Sequence, residues 1–85
     1  MFEYNDVLTR DYKNAEIEIV VEDDVITMGR VYIDNRCVDV REFTTEDGGD
    51  VPFNRANYEN ILNQLKYIVD QFWQENAERL MAMAR

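Results

Sequence analysis

Carboxylates are the only abundant reactive groups in this chain: 18 Asp and Glu, one cysteine and no histidine in 85 residues. They are densest around Gly48-Gly49, where Glu42, Glu46, Asp47 and Asp50 surround the glycine pair. Oxygen ligands at such spacing suggest a calcium loop, which needs donors at positions 1, 3 and 5, glycine at 6 and a bidentate glutamate at 12. Counting from Asp47 puts Gly49 third, Val51 fifth, Pro52 sixth and Tyr58 twelfth; counting from Glu46 gives Gly48, Asp50, Val51 and Asn57. Neither frame fits, and no glycine-aspartate repeat follows. Without histidine the chain has no Ser-His or Cys-His nucleophile pair and lacks the commonest transition-metal ligand. Cys37 is alone, so no internal disulfide forms and a zinc site is short of ligands. Phosphate-cradling glycine loops and a nucleophile elbow are missing too. A carboxylate pair suited to acid–base work arises by chance at this acid density, so no catalytic, metal or cofactor residue is assigned and a non-enzymatic protein is expected.

The net charge of −9 points to a binding surface. It repels phosphate backbones, and the arginines are scattered singly, so direct nucleic-acid binding is not expected. An acidic surface complements a basic partner, although it also serves solubility alone. The expected acidic face comprises Glu16, Glu18, Glu22, Asp23, Asp24, Asp34, Glu42, Glu46, Asp47 and Asp50. The N-terminal residues carry no signal-like apolar run, and no window reaches the ~18 apolar residues of a membrane span. A cytoplasmic protein without membrane contact is the expectation.

The elements that must position these groups follow from periodicity. The 85 residues make one domain, divided into a segment 1–14 of open structure, a sheet over 15–43, an acidic glycine loop over 44–53 and a helical region over 54–84. Ala15 to Val21 alternates, with Ile17, Ile19 and Val21 on one face and Glu16 and Glu18 on the other. Val25 to Ile33 continues as a strand, and Asp34-Asn35 suits a two-residue hairpin turn. That turn pairs Ile33 with Arg36, Tyr32 with Cys37, Val31 with Val38 and Arg30 with Asp39. If Asp23-Asp24 is also a two-residue turn, strict alternation leaves Val31 and Ile33 on the wrong face. A bulge near Met28-Gly29 restores one buried face, and a longer first turn is the alternative. Residues 1–14 form either a short amphipathic helix or an edge strand.

From Asn54 the period changes. Tyr58, Ile61, Leu62, Leu65, Ile68, Val69, Phe72 and Trp73 recur at spacings of three and four, with Asn54 as cap and Phe53 stapling the first turn. A helix running to Ala84 would be about 45 Å long, against about 20–30 Å for the sheet, so it either breaks near Glu75-Asn76 or projects. The expected fold is α+β: a three-stranded antiparallel sheet followed by a long or broken C-terminal helix packed on one face. Phe72 and Trp73 are adjacent, so one of them turns from the shared seam. Tyr32, Trp73, Leu80, Met81 and Met83 are the candidate docking or homodimer contacts.

The layout of residues 15–43 followed by 54–84, with its acidic charge, resembles small phage-encoded anti-defence proteins, including some anti-CRISPR proteins. The resemblance implies an inhibitor that acts as a DNA mimic, occupying the basic groove of a nucleic-acid-handling protein. A structural or assembly subunit docking through its C-terminal helix is the alternative.

Overall fold

The structure, a computed structural model, describes residues 3–83, with helix side chains described as far as Ala77. Strands β1 (Asp6–Tyr12), β2 (Ala15–Glu22), β3 (Val25–Ile33) and β4 (Arg36–Glu42) form an antiparallel meander in that order. A two-residue strand, β5 (Val51–Pro52), pairs with the start of β3, and helix α1 (Arg55–Met83) completes the chain. The class is α+β with the helix on one sheet face, as the periodicity predicts, but the sheet has a fourth full strand where three were expected. Residues 6–12 are the edge strand left open by the sequence. Only Leu8 and Tyr12 are half-buried there, and it is pairing with β2, Leu8 opposite Ile19 and Tyr12 opposite Ala15, that defines the strand.

All three hairpins close with two residues at positive φ: Lys13-Asn14, Asp23-Asp24 and Asp34-Asn35. Such turns match the right-handed twist of the strands they join, and Asn and Asp tolerate the left-handed region. The expected bulge exists one residue earlier than predicted. Val21 pairs with Ile26 but Val20 pairs with Met28, so Thr27 is the extra residue. The offset returns Val31 and Ile33 to the face of Ile17 and Ile19, and all four are buried. A second bulge was not foreseen. Tyr32 pairs with Cys37 as expected, but Val31 pairs with Asp39 and Arg30 with Val40, leaving Val38 unpaired. The predicted Arg30–Asp39 pairing is therefore replaced across the ladder, and Arg30 instead approaches Glu18 of β2.

The core lies between α1 and strands β2 and β3. Ile17, Ile19, Val21, Ile26, Val31 and Ile33 meet Ile61, Leu62, Leu65 and Val69. Each such aliphatic side chain contributes about 2 kcal/mol on full burial. Gly29 lets the helix approach: a Cβ there would stand 2.8 Å from Leu65 Cδ1 and 2.9 Å from Phe43 Cε2. At the helix start, Asn54 Oδ1 accepts the Asn57 N–H at 2.8 Å, while Phe53 packs edge-on against Tyr58 and stacks on Tyr4 at 5.1 Å. This is the cap and staple read from the sequence. No break occurs at Glu75-Asn76, and no glycine or proline follows Pro52 to cause one.

Candidate partner-binding surface

The face of the sheet away from α1 is built in rows by the strand register. Val7, Val20, Met28 and Glu42 form one row; Thr9, Glu18, Arg30 and Val40 the next; Asp11, Glu16, Tyr32 and Cys37 the third. Glu16 and Glu18 thus stand on the open face, as alternation required. This face is mixed rather than uniformly acidic. Arg30 Nε is 3.4 Å from Glu18 Oε1, an ion pair whose geometry falls short of a hydrogen bond. The Tyr32 phenol is pushed up from its ordinary pKa chiefly by hydrogen bonding to Glu18. Tyr32 is half-buried among these groups.

The densest acidic set lies at one end of the sheet. The β2–β3 turn holds Glu22, Asp23 and Asp24, and the N-terminal segment closes onto it. Tyr4 and Asp24 exchange backbone contacts, with the Asp24 N–H donating to Tyr4 O at 3.0 Å and the Tyr4 N–H donating to Asp24 Oδ1 at 3.0 Å. The Asp23 N–H donates to Asn5 Oδ1 at 3.0 Å. These bonds bring Glu3 and Asp6 beside the turn. The Glu3 carboxyl is pushed above its ordinary pKa chiefly by hydrogen bonding to Asp23, and also by the nearby negative charges of Asp23 and Asp24. None of these five carboxylates forms an ion pair among the described residues. Glu3 and Asp6 were absent from the residues expected on sequence grounds. Their segment shows no clear period, and only the hydrogen bonds across to the turn place them.

The remaining acids are dispersed. Asp34 occupies the β3–β4 turn, the far end of a nine-residue strand and thus about 30 Å from Asp24. Glu42 closes β4 on the open face. Glu46, Asp47 and Asp50 sit in a loop that is hydrogen-bonded to itself: the Thr45 hydroxyl bonds Asp47, the Gly49 N–H donates to Thr45 Oγ1 at 2.8 Å, and the Gly48 N–H donates to Thr45 O at 2.9 Å. Gly48 takes φ +82°, and Asp47 is held below the ordinary carboxylate pKa by the Thr45 hydroxyl and loop amides. Among the described residues, no three Cys, Asp or Glu side chains gather into a metal-binding group.

The docking candidates divide similarly. Trp73 packs on the core, and its indole N–H donates to Lys13 O at 2.8 Å. Phe72 meets it edge-on at 5.3 Å and also reaches the core rim. Beside them, Lys13 Nζ is 2.7 Å from Asp70 Oδ1, and the Tyr12 hydroxyl donates to the same carboxylate at 3.1 Å. Lys13, with help from Tyr12, holds the Asp70 pKa down against desolvation. Leu80, Met81 and Met83 fall where side chains lie outside the described residues. No described helix is long and apolar enough to cross a membrane.

No protein-family model, curated protein or solved structure matches the chain.

Proposed function

We propose that this is a non-enzymatic, acidic binding protein that covers a basic surface on a protein partner, of the kind that otherwise holds nucleic acid. The single observation that carries the reading is the cluster of Glu3, Asp6, Glu22, Asp23 and Asp24 at one end of the sheet, none of which forms an ion pair among the described residues. Gathering like charges costs folding energy, and an oppositely charged partner offsets that cost on binding. Glu16 adds an exposed carboxylate on the open sheet face, whereas Glu18 there is offset by Arg30. Occupation of a nucleic-acid channel by carboxylates, in the manner of anti-defence inhibitors, is the specific form we infer. Charge-steered association is fast and salt-sensitive.

The test uses the tagged full chain to capture partners from a lysate of the cells in which it acts. Nucleic-acid-binding proteins are expected to be retained at low salt and released by about 0.5 M salt, where screening acts over a few ångströms. Added duplex should compete, and the triple substitution Glu22→Gln, Asp23→Asn, Asp24→Asn should weaken capture at least tenfold. The reading fails if the captured proteins ignore competing nucleic acid, or if the triple variant binds as the parent does.

A second reading, a subunit docking through α1, is favoured by helix length. The 29-residue helix is about 43 Å long, and Trp73 is the last described apolar side chain packed on the core. Capture that resists salt but is lost in Leu80→Ala/Met81→Ala would select it.

A further inference from the structure

We propose that two copies of this chain associate about a two-fold axis through the free edge of β4, joining their sheets into one continuous sheet. This surface is distinct from the acidic end.

Three observations converge on that edge. The first is coverage. Helix α1 packs over β2 and β3, so the helix-facing side of β4 is bare. A groove of about 670 Å³ runs between β4 and α1, lined by Val38, Asp39, Arg41, Tyr67, Ile68 and Phe72 among others. Val38 and Tyr67 in this groove are 38 % and 63 % exposed, and Val40 on the opposite face of the strand is 52 % exposed, three of the five large apolar side chains left most open among the described residues. No described strand pairs with the outer edge of β4, because β5 joins β3 instead. Natural edge strands are usually guarded by lysine, proline or a bulge. Here the guards are the bulge at Val38, which leaves Asp39 to Glu42 regular, and the helix-side charges of Asp39 and Arg41, which are of opposite sign and so complement a second copy of the same edge.

The second is backbone polarity. The Phe43 N–H donates to Thr27 O at 3.1 Å, which sets the alternation of the β3–β4 ladder. Arg41 then directs its N–H and C=O to Gly29, while Val40 and Glu42 turn theirs to the free edge. A two-fold axis at Val40 lets each Val40 exchange both hydrogen bonds with its counterpart.

The third is charge. The chain carries −9, yet β4 balances Arg36 and Arg41 against Asp39 and Glu42. In the register centred on Val40, Asp39 of each copy lies opposite Arg41 of the other. Both residues stand on the helix side, opposite Val31 and Gly29, and are already 3.5 Å apart within one chain. Two-fold pairing of one surface with itself requires such self-complementarity. Centring on Asp39 would instead oppose two carboxylates. The β1 edge is net acidic, with Asp6 and Asp11 against Arg10, and it runs into Glu3. A second copy is therefore the occupant that fits β4.

Sedimentation of the full chain from about 10 µM to about 1 mM, the range in which a small interface titrates, should show a rising dimer fraction. Val40→Glu alters an exposed side chain and should lower the association constant at least tenfold. Arg41→Asp should do the same by opposing Asp39, and Asp39→Arg/Arg41→Asp together should restore the dimer. Hydrogen exchange at high concentration should slow at the Val40 and Glu42 amides relative to dilute protein. A monomer across the whole range overturns the proposal. So does a dimer that survives Val40→Glu, or one whose Val40 and Glu42 amides exchange as fast as in the monomer.

Discussion

The two ends of the sheet handle charge in opposite ways. Near the β1–β2 turn, Lys13 and the Tyr12 hydroxyl converge on Asp70, Lys66 lies 5.3 Å from the Tyr12 ring, and Trp73 donates to the turn carbonyl. Cations, an anion and aromatic rings satisfy one another there, and together they tie a turn to the middle of the helix. At the β2–β3 turn, Glu3, Asp6, Glu22, Asp23 and Asp24 gather around backbone hydrogen bonds, with no cation paired to them among the described residues. Both ends are closed by the same kind of two-residue turn at positive φ. The difference is thus one of side chains rather than backbone. One end uses its polar groups to hold the fold, and the other gathers negative charge that no cation offsets among the described residues.

Removing the paired end should produce the largest effect. Trp73→Ala deletes a half-buried indole and its hydrogen bond, and should lower stability by about 2–3 kcal/mol in denaturant unfolding, below the cost of a fully buried tryptophan. Trp73→Phe, which keeps much of the packing, should lose only about 1 kcal/mol. Equal losses in the two variants would show that the hydrogen bond, not the packing, holds the turn. The seat midway between the ends comes next. Gly29→Ala forces Leu65 and Phe43 aside and should cost about 1–2 kcal/mol, measured the same way, while leaving the acidic end intact.

Acid titration separates the two ends by sign. The folded-state pKa of Asp70 lies below its ordinary 3.8, so its contribution is present at neutral pH and is lost as pH falls through that lowered value. Glu3 lies above its ordinary 4.5, so its contribution is favourable below that value and is lost as pH rises through the raised one. Stability followed from pH 7 downward should therefore rise slightly on approach to 4.5 and fall at lower pH. Lys13→Met should flatten the acid fall, and Glu3→Gln should remove the earlier rise. The smallest effect belongs to the turns themselves. Asn35→Gly relieves a left-handed asparagine in the β3–β4 turn, at the opposite end of the sheet from the acidic turn, and should raise stability by about 0.5 kcal/mol in denaturant titration.

Legibility followed burial. Strand β2 was plain because every second side chain is buried, and α1 because one stripe is apolar and the other is asparagine, glutamine and charge. The need for a bulge after Asp24 was also readable, since a single buried face demanded it, although its position shifted from Met28-Gly29 to Thr27. The bulge at Val38 left no such trace. Strand β4 is exposed along nearly all its length, so no hydrophobic phase exists to reveal a slip. Strand β1 was hidden for the same reason. Of the expected acidic face, Glu16, Glu18 and the turn trio could be placed by period and turn type, but Glu3 and Asp6 join them only through the contacts of Tyr4 and Asn5 with the turn.

By itself the sequence determined the period of each buried element, the turn residues able to take positive φ, the cap at Asn54 and the excess of negative charge. These are local properties, fixed by side-chain chemistry within a few residues. Only the tertiary structure decided which carboxylates became neighbours, that Trp73 closes onto Lys13, and that β4 was left as a bare, charge-balanced edge. Each of those depends on distances between residues far apart in the chain, set by how a single helix, too narrow to cover four strands, settles over the middle two.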